Sequence, residues 1–283
     1  MAEVKAIDIM CYLFTREAIK RDWYEQEEMA RVVRWWHLEE RVRGYTVPEF
    51  VAMLDEAGVD KVCIPAVKIM SYRTRQMIWD TPLEEVVDVV QQHPDRFIGF
   101  AGYNPLEVMR GVREVERAVR EHGFRGVYIH SYGFGLPVND RRFYPLYAKC
   151  AELGVPVSMQ VGHSAEHMPS EMGRPIHMDD IALEFPELNL IGAHTGWPWA
   201  DELIALAWKH ENVYIGIDAH MPQYLDPALI RFMKGRGQDK VLYGTNWPVI
   251  PHQASLEQLE ALGLSEPVKA KVLRDNAARL LRL

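Results

Sequence analysis

Four side chains that could take part in acid–base catalysis, as proton carriers or as hydrogen-bonding groups, lie at or near the ends of apolar runs in the chain. His194 ends one such run and is followed by the turn sequence TGWPW, and His130 lies near the end of another. Tyr12 and Asn246 close the first and last apolar runs. A partly buried imidazole works as a general acid or base near neutral pH, and phenol and amide groups supply fixed hydrogen bonds. We therefore predict His194, His130, Tyr12 and Asn246 as catalytic residues, with a structural role as the alternative for each histidine.

A second set of polar and aromatic side chains lies at or just beyond the same run ends, and we predict that it binds substrate. Arg174 is expected to pair with a substrate carboxylate, because a guanidinium fork matches that group; a surface salt bridge is the alternative. Asp218 orients a neighbouring histidine or the substrate, or it caps a turn. The set is Met10, Tyr132, Gln160, His163, Arg174, Trp197, Asp218 and Trp247. Four further histidines fall on predicted helices or their ends and are expected at the surface: His37, His93, His122 and His210.

Eight apolar runs alternate with amphipathic stretches along the chain. The runs are near-continuous rather than alternating, which is typical of parallel strands covered on both faces. Thr46 and Glu49 have the spacing of a helix N-cap with its capping box. Eight strand–helix repeats predict a (β/α)8 TIM barrel; a doubly wound open sheet is the alternative, but no Gly-rich phosphate loop follows any run. The predicted strands are 4–12, 61–67, 97–103, 126–132, 155–161, 188–194, 213–219 and 240–245.

Two connections are long for such a fold, namely 13–45 and 68–82. Both follow predicted strands, so they are expected at the C-terminal face of the barrel, where active sites are built. The first contains a predicted helix over 24–42, in which Trp35 and Trp36 pack on the barrel, on a second subunit or on substrate. Because no linker or repeat interrupts the pattern, we predict one domain over 1–283.

Composition narrows the class of protein. The chain has 283 residues, 48% of them hydrophobic, and a formal net charge of −8 without a basic cluster, which argues against nucleic acid and acidic membranes as partners. Its three cysteines lack the C-x-x-C spacing of a thiolate zinc site, and a reducing cytoplasm is the expected location. No apolar run reaches the length of a membrane span. The aromatic helix around Trp35 hints at a homodimer.

Several segments together resemble the amidohydrolase-related barrels, in the branch that includes aminocarboxymuconate-semialdehyde decarboxylase. They are HPDRFIGFAGYNP, GVYIHSY, DRRFYPLYAKCAELGVPV, PELNLIGAHTGWPW and KVLYGTNWPVI, and the similarity spans nearly the whole chain. The resemblance implies a (β/α)8 barrel whose mouth acts on small carboxylated substrates, and many members of the family depend on a metal.

The metal-binding positions of that family are mostly replaced in this chain. The resemblance places Met10 and Tyr12 where members carry a histidine or glutamate pair, Gln160 at a histidine position and Asn246 at an aspartate position. Zinc and manganese need about three or four histidine, carboxylate or thiolate ligands, and amides and thioethers are weak substitutes. We therefore predict no metal and no other cofactor; a displaced site built from His130, His163 and His194 is the alternative.

Three functions stay open from the sequence. The first is a hydrolase that opens a small carboxylated ester or lactone by histidine acid–base catalysis without a metal. The second is a metal-independent lyase or isomerase, such as a decarboxylase, dehydratase or lactone isomerase. The third is a barrel that binds a small molecule without catalysis. We rank the hydrolase slightly first, because an ester or lactone has a better leaving group than an amide and needs less help; the lyase or isomerase follows closely, since its proton transfers also need only an acid, a base and an electrostatic clamp.

Overall fold

A parallel eight-stranded sheet, curved into a nearly closed barrel, forms the centre of the protein in the computed structural model, which describes residues 4–283. The prediction of a (β/α)8 barrel is confirmed. The barrel strands pair in the order β1-β2-β5-β6-β7-β8-β9-β10, while β3 and β4 form a separate antiparallel hairpin. The strands are β1 Ala6–Asp8, β2 Val59–Pro65, β3 Lys68–Met70, β4 Met77–Asp80, β5 Phe97–Gly102, β6 Gly126–Ile129, β7 Val157–Gln160, β8 Leu190–Ala193, β9 Val213–Gly216 and β10 Val241–Leu242.

The barrel closes between its first and last strands through backbone hydrogen bonds beyond the regular ladder. The amide of Tyr12 donates to the carbonyl oxygen of Trp247 at 3.0 Å, and the amide of Asn246 donates to the carbonyl oxygen of Met10 at 2.9 Å. These bonds bring together two residues that lie at opposite ends of the sequence, Tyr12 and Asn246.

Helices cover the outside of the barrel, and their ends follow the local sequence rules. Thr46 and Glu49 form the predicted capping box at the start of α3. Gly123 and Gly154 end α5 and α6 in the left-handed conformation that glycine adopts without a steric cost. The helices are α1 Arg16–Ile19, α2 Glu27–Trp35, α3 Val47–Ala57, α4 Leu83–Gln92, α5 Val108–His122, α6 Tyr144–Leu153, α7 Met178–Glu184, α8 Ala200–Lys209, α9 Pro227–Lys234, α10 His252–Glu260, α11 Glu266–Ala270 and α12 Asn276–Leu281.

The long connection after β1 folds into three short pieces rather than one helix. The predicted helix over 24–42 is too long: α2 covers only Glu27–Trp35, and a π-helical turn over Lys20–Tyr24 precedes it. The helix stops because His37 takes a positive φ of 54°. The second long connection supplies the β3–β4 hairpin. Every helix within residues 4–283 is too short or too polar to span a bilayer.

Candidate active site

A cavity opens at the carboxyl ends of the barrel strands, below helix α2. About 540 Å³ of space lies within it, and part of this space is open solvent. Its wall combines polar side chains from the strand ends with apolar side chains from the connection after β1. The lining residues are Tyr12, Trp23, Met29, Val32, Trp36, Gln160, His163, Ala165, Glu166, His194, Ala219, His220, Asn246 and Val249.

His194 and Asp218 form a buried pair at the base of this cavity. His194 follows β8 and Asp218 follows β9, and these strands are neighbours in the barrel. The Nδ1–H of His194 donates to Oδ2 of Asp218, and the backbone N–H of His194 donates to Oδ1 at 3.2 Å. Because a carboxylate only accepts hydrogen bonds, Nδ1 of His194 is the donor in this contact, and Nε2 is the ring nitrogen that remains to exchange a proton with a ligand. Nε2 is buried without a partner in the described structure.

The carboxylate of Asp218 is held as an anion. Burial alone would raise its pKa, but the His194 imidazole and the hydrogen bonds that it donates lower the pKa below the ordinary value. The strand ends leave room for the side chain, since a Cβ added at Gly216 would lie 2.5 Å from Oδ1 of Asp218 and one at Gly244 would lie 2.8 Å from its Cβ. Asp218 therefore fixes the orientation of the imidazole and stabilises its protonated form.

Four residues at the strand ends take left-handed backbone conformations that non-glycine residues rarely adopt. The φ angles are 66° at His194, 60° at Thr195, 64° at Ala219 and 61° at Asn246. Each costs roughly 1–2 kcal/mol, and such residues persist where the surrounding structure holds them, commonly at functional sites. Three of the four line the cavity. The strain is thus concentrated where the candidate chemistry lies.

Neutral hydrogen-bonding groups lie opposite His194. The hydroxyl of Tyr128 donates to Oε1 of Gln160 at 2.7 Å, so the amide nitrogen of Gln160 remains as its donor. Oδ1 of Asn246 is buried without a partner among the described residues. Burial raises the pKa of Tyr12 well above its ordinary value, which keeps the phenol neutral. Gln160, Asn246 and Tyr12 therefore offer amide and phenol groups to a bound ligand.

Glu166 is a cavity residue that the sequence did not reveal. It lies in the loop after β7, is buried, accepts a hydrogen bond from the hydroxyl of Ser164 at 2.7 Å and lies 3.8 Å from Nε2 of His130. Burial alone would raise its pKa, but His130 and Ser164 outweigh burial and hold the pKa at about 2. His130 itself is not part of the cavity wall, but it lies beside Glu166, which is.

Two further imidazoles, His163 and His220, lie beside His194 in the wall. Burial, followed by the charge of His194, lowers the pKa of His163. The same two causes lower the pKa of His220 to about 4. His220 followed an apolar run in the sequence but was not selected, because nothing local distinguishes it from a solvated loop histidine.

The structure brings together only part of the predicted substrate-binding set. Gln160 and His163 line the cavity, Asp218 lies behind His194, and Trp197 is half-exposed with its ring 4.8 Å from that of His163. The other four do not line it: Met10, Tyr132, Arg174 and Trp247.

These four have other partners. The backbone N–H of Met10 donates to Oδ1 of Asp8 at 2.9 Å, and its carbonyl oxygen accepts from the amide of Asn246. The hydroxyl of Tyr132 donates to the carbonyl oxygen of Gly162, and Trp247 packs in the core against Phe50. Arg174 is paired with Glu202 through Nε at 3.0 Å and Nη2 at 2.8 Å, the salt bridge that was the alternative for it.

One prediction about the histidines is wrong. His210 is buried rather than at the surface, because its Nε2 pairs with Asp179 at 2.6 Å where α8 packs beside α7. The helical position gave no sign of this contact, since the two residues are 31 positions apart.

The residues at the barrel mouth do not fit a divalent metal ion in the way that the family resemblance implies. Within residues 4–283, no group of three or more histidine, cysteine, aspartate or glutamate side chains is arranged to hold an ion. This includes the alternative set His130, His163 and His194. At the family's positions, Gln160 is bonded to Tyr128 and Asn246 offers only an amide oxygen, which is a weak ligand for zinc or manganese.

Comparison with known proteins identifies relatives of this chain in sequence and in fold. The amidohydrolase family model matches residues 33–283. A γ-resorcylate decarboxylase from Rhodococcus jostii is 22% identical, with 82% of this chain and 86% of the relative covered. A solved TIM-barrel protein of uncharacterised function from Bordetella bronchiseptica superposes with a TM-score of 0.79 at 24% identity, covering 98% of both chains. A solved dihydroxybenzoic acid decarboxylase from a Polaromonas species, with bound manganese and 2-nitroresorcinol, has a TM-score of 0.73 at 19% identity, covering 99% and 98%.

These findings correct the predicted reaction class. The prediction that ranked a metal-free hydrolase first is wrong, because the curated relatives that cover four fifths of the chain are decarboxylases, which are lyases. The sequence could not separate the two classes, since imidazole, amide and phenol groups serve both. The family match over residues 33–283 confirms the resemblance, and this chain belongs to the amidohydrolase family.

Proposed function

We propose that this chain is a lyase that decarboxylates a small aromatic carboxylic acid. The observation that carries the proposal is the buried His194–Asp218 pair, whose unpartnered Nε2 belongs to a side chain in the cavity wall. The curated relatives named as γ-resorcylate decarboxylases support the same reaction class. The apolar side chains of Trp23, Met29 and Val32 in the cavity wall suit an aromatic substrate.

The proposed chemistry is a proton transfer followed by loss of carbon dioxide. Nε2 of His194, protonated, donates its proton to the ring carbon that carries the carboxylate. The carbon–carbon bond to the carboxylate then breaks, its electron pair returns to the ring, and carbon dioxide leaves. His194 is reprotonated from solvent, so the net change is one substrate carboxylate and one proton converted to the arene and carbon dioxide. Asp218 favours the protonated imidazole at the start of this sequence.

The neutral donors and acceptors of the wall position the ring. A hydroxyl on the aromatic ring can donate to Oδ1 of Asn246 and accept from the amide of Gln160 or the hydroxyl of Tyr12. The hydrogen bond donated to Asn246 favours electron donation from the hydroxyl oxygen into the ring, which makes its carbon easier to protonate, and the accepted hydrogen bonds fix the orientation of the ring. The apolar side chains of α2 cover the cavity and limit the access of water.

A turnover screen tests the proposal directly. The wild type and His194→Gln are incubated with benzoic acids that carry one or two ring hydroxyls, and carbon dioxide release and the ultraviolet spectrum of the acid are followed. We expect turnover of at least one hydroxylated acid by the wild type, and a loss of about 10²- to 10⁴-fold in kcat for His194→Gln, as general acid–base catalysis commonly contributes.

The fold of the variant is checked by circular dichroism and thermal unfolding. Equal turnover by folded His194→Gln would contradict the proposed role. Binding of these acids without turnover by the wild type would favour the third function, a barrel that only binds. The cytoplasmic location and the homodimer stay predictions.

A further inference from the structure

We propose that His163 and His220 form the subsite that holds the carboxylate of the aromatic acid. The inference rests on the proposed function for the class of substrate, and it assigns a separate task to two residues beside His194. His163 lies just beyond β7 and His220 just beyond β9, so the two imidazoles approach the cavity from either side of the strand that carries His194.

The geometry of the two rings suits one small anion. Their centroids are 6.4 Å apart, their planes are inclined by 65°, and both rings line the same cavity, so one carboxylate in the cavity is within reach of both. The edge of Trp197 packs against His163, with centroids 4.8 Å apart, and Nδ1 of His220 lies 3.4 Å from the hydroxyl oxygen of Thr195. Both rings are therefore oriented by neighbours rather than free in solvent.

Imidazoles are the groups of the described cavity wall that can become cations beside a carboxylate. No lysine or arginine belongs to the cavity wall as described for residues 4–283, and Arg174 is committed to Glu202. Glu166 lies in the same loop as His163, and its negative charge acts to raise the pKa of that ring against the effect of burial. A bound carboxylate adds a second negative charge beside the rings, so its binding favours their protonated forms.

This arrangement couples binding to proton uptake. The groups that face His220 are the imidazoles of His194 and His163, the carboxylate of Asp218 and the hydroxyl of Thr195. Burial, and after it the charge of His194, lowers the pKa of His220 to about 4, so this ring is neutral at pH 7. A bound carboxylate favours the charged ring and raises that pKa. Affinity for a carboxylate therefore falls as pH rises, and a proton enters with the ligand.

Calorimetry with an unreactive ligand pair tests the subsite. Benzoate lacks the hydroxyl that activates the ring, and benzamide has nearly the same shape without the charge. Titrations of each ligand are run between pH 5.5 and 8 in buffers of different ionisation enthalpy, which counts the protons taken up. The proteins are the wild type, His163→Gln, His220→Gln and, as a matched control, His167→Gln, whose exposed side chain lies in the same loop as His163.

We expect proton uptake with benzoate and none with benzamide in the wild type. His220→Gln and His163→Gln are expected to weaken benzoate binding about tenfold or more and to reduce proton uptake, because each loses a hydrogen bond to a charged group. Both variants keep the affinity of the wild type for benzamide, and His167→Gln behaves as the wild type with both ligands.

Unchanged benzoate affinity and proton uptake in both variants would overturn the subsite. That result is independent of the turnover screen, because neither ligand reacts. A wild type that turns over no aromatic acid but binds benzoate with the expected proton uptake would defeat the proposed function and support the subsite. A wild type that decarboxylates an aromatic acid, with His163→Gln and His220→Gln variants that bind benzoate as the wild type does, would support the proposed function and overturn the subsite.

Discussion

Replacement of Asp218 by asparagine tests the central pair most sharply. Both carboxylate oxygens contact His194, one through the ring and one through the backbone amide. Asp218→Asn keeps the size of the side chain and removes its charge. The amide can still accept from the Nδ1–H of His194, but it no longer stabilises the protonated imidazole that the proposed reaction needs.

The expected magnitude follows from the loss of a hydrogen bond between charged groups. Such a bond contributes about 2–3 kcal/mol when both partners are buried, and Asp218 and His194 are both buried. At about 1.36 kcal/mol per factor of ten, kcat should fall about 30- to 160-fold. KM should change little, since Asp218 lies behind His194 and does not line the cavity.

The assay is steady-state decarboxylation of the best acid from the screen, together with urea unfolding to show that the variant is folded. Asp179→Asn is a matched control, because Asp179 also pairs with a histidine, His210, but on the outer helices. Its kcat should equal that of the wild type. A folded Asp218→Asn that retains kcat within about threefold would refute the role assigned to Asp218.

Three other predictions follow from the same structure. Glu166→Gln should tighten binding of a carboxylate ligand severalfold, because the fixed charge is removed. The pKa of Glu166 is lowered to about 2 in the folded protein, so its charge stabilises the fold by on the order of 3 kcal/mol above about pH 4.5, and this contribution is lost as the pH falls towards 2. The free energies of unfolding in urea of the wild type and the variant should therefore converge near pH 2. Gly216→Ala should lower kcat about as much as Asp218→Asn, because its Cβ would lie 2.5 Å from the Asp218 carboxylate, and a normal kcat in a folded variant would show that the close approach is unimportant. Thr46→Ala should lower the free energy of unfolding by about 1 kcal/mol and leave kcat unchanged, because it removes the side-chain cap that pairs with Glu49 far from the cavity; thermal unfolding and the decarboxylation assay check the two parts.

Local patterns predicted the elements of this fold well and the contacts of its site less well. The apolar runs identified all eight barrel strands, because parallel strands that are covered on both faces must be apolar along their length. The strands are shorter than predicted. The run 240–245 contains only the strand Val241–Leu242, and the backbone N–H of Thr245 donates to the carboxylate of Asp8. The prediction that His210 lies at the surface is wrong for a similar reason, because its contact with Asp179 joins residues that are distant in the sequence.

In the candidate site, too, residue positions followed from local patterns better than contacts did. His194, Tyr12, Gln160, His163 and Asn246 were found because parallel strands end at one face of a barrel, so a polar residue at a strand end points to that face.

The sequence by itself determined the order of strands and helices, the family and the replacement of the usual metal ligands by neutral side chains. Periodicity and residue type are local properties, and each can be read without knowing what lies across the barrel. Only the tertiary structure decided that Asp218 holds His194, that Glu166 enters the cavity from a loop and that Arg174 is occupied by Glu202. The two pairs join residues 24 and 28 positions apart, and their geometry depends on how the barrel sets the strand ends against one another.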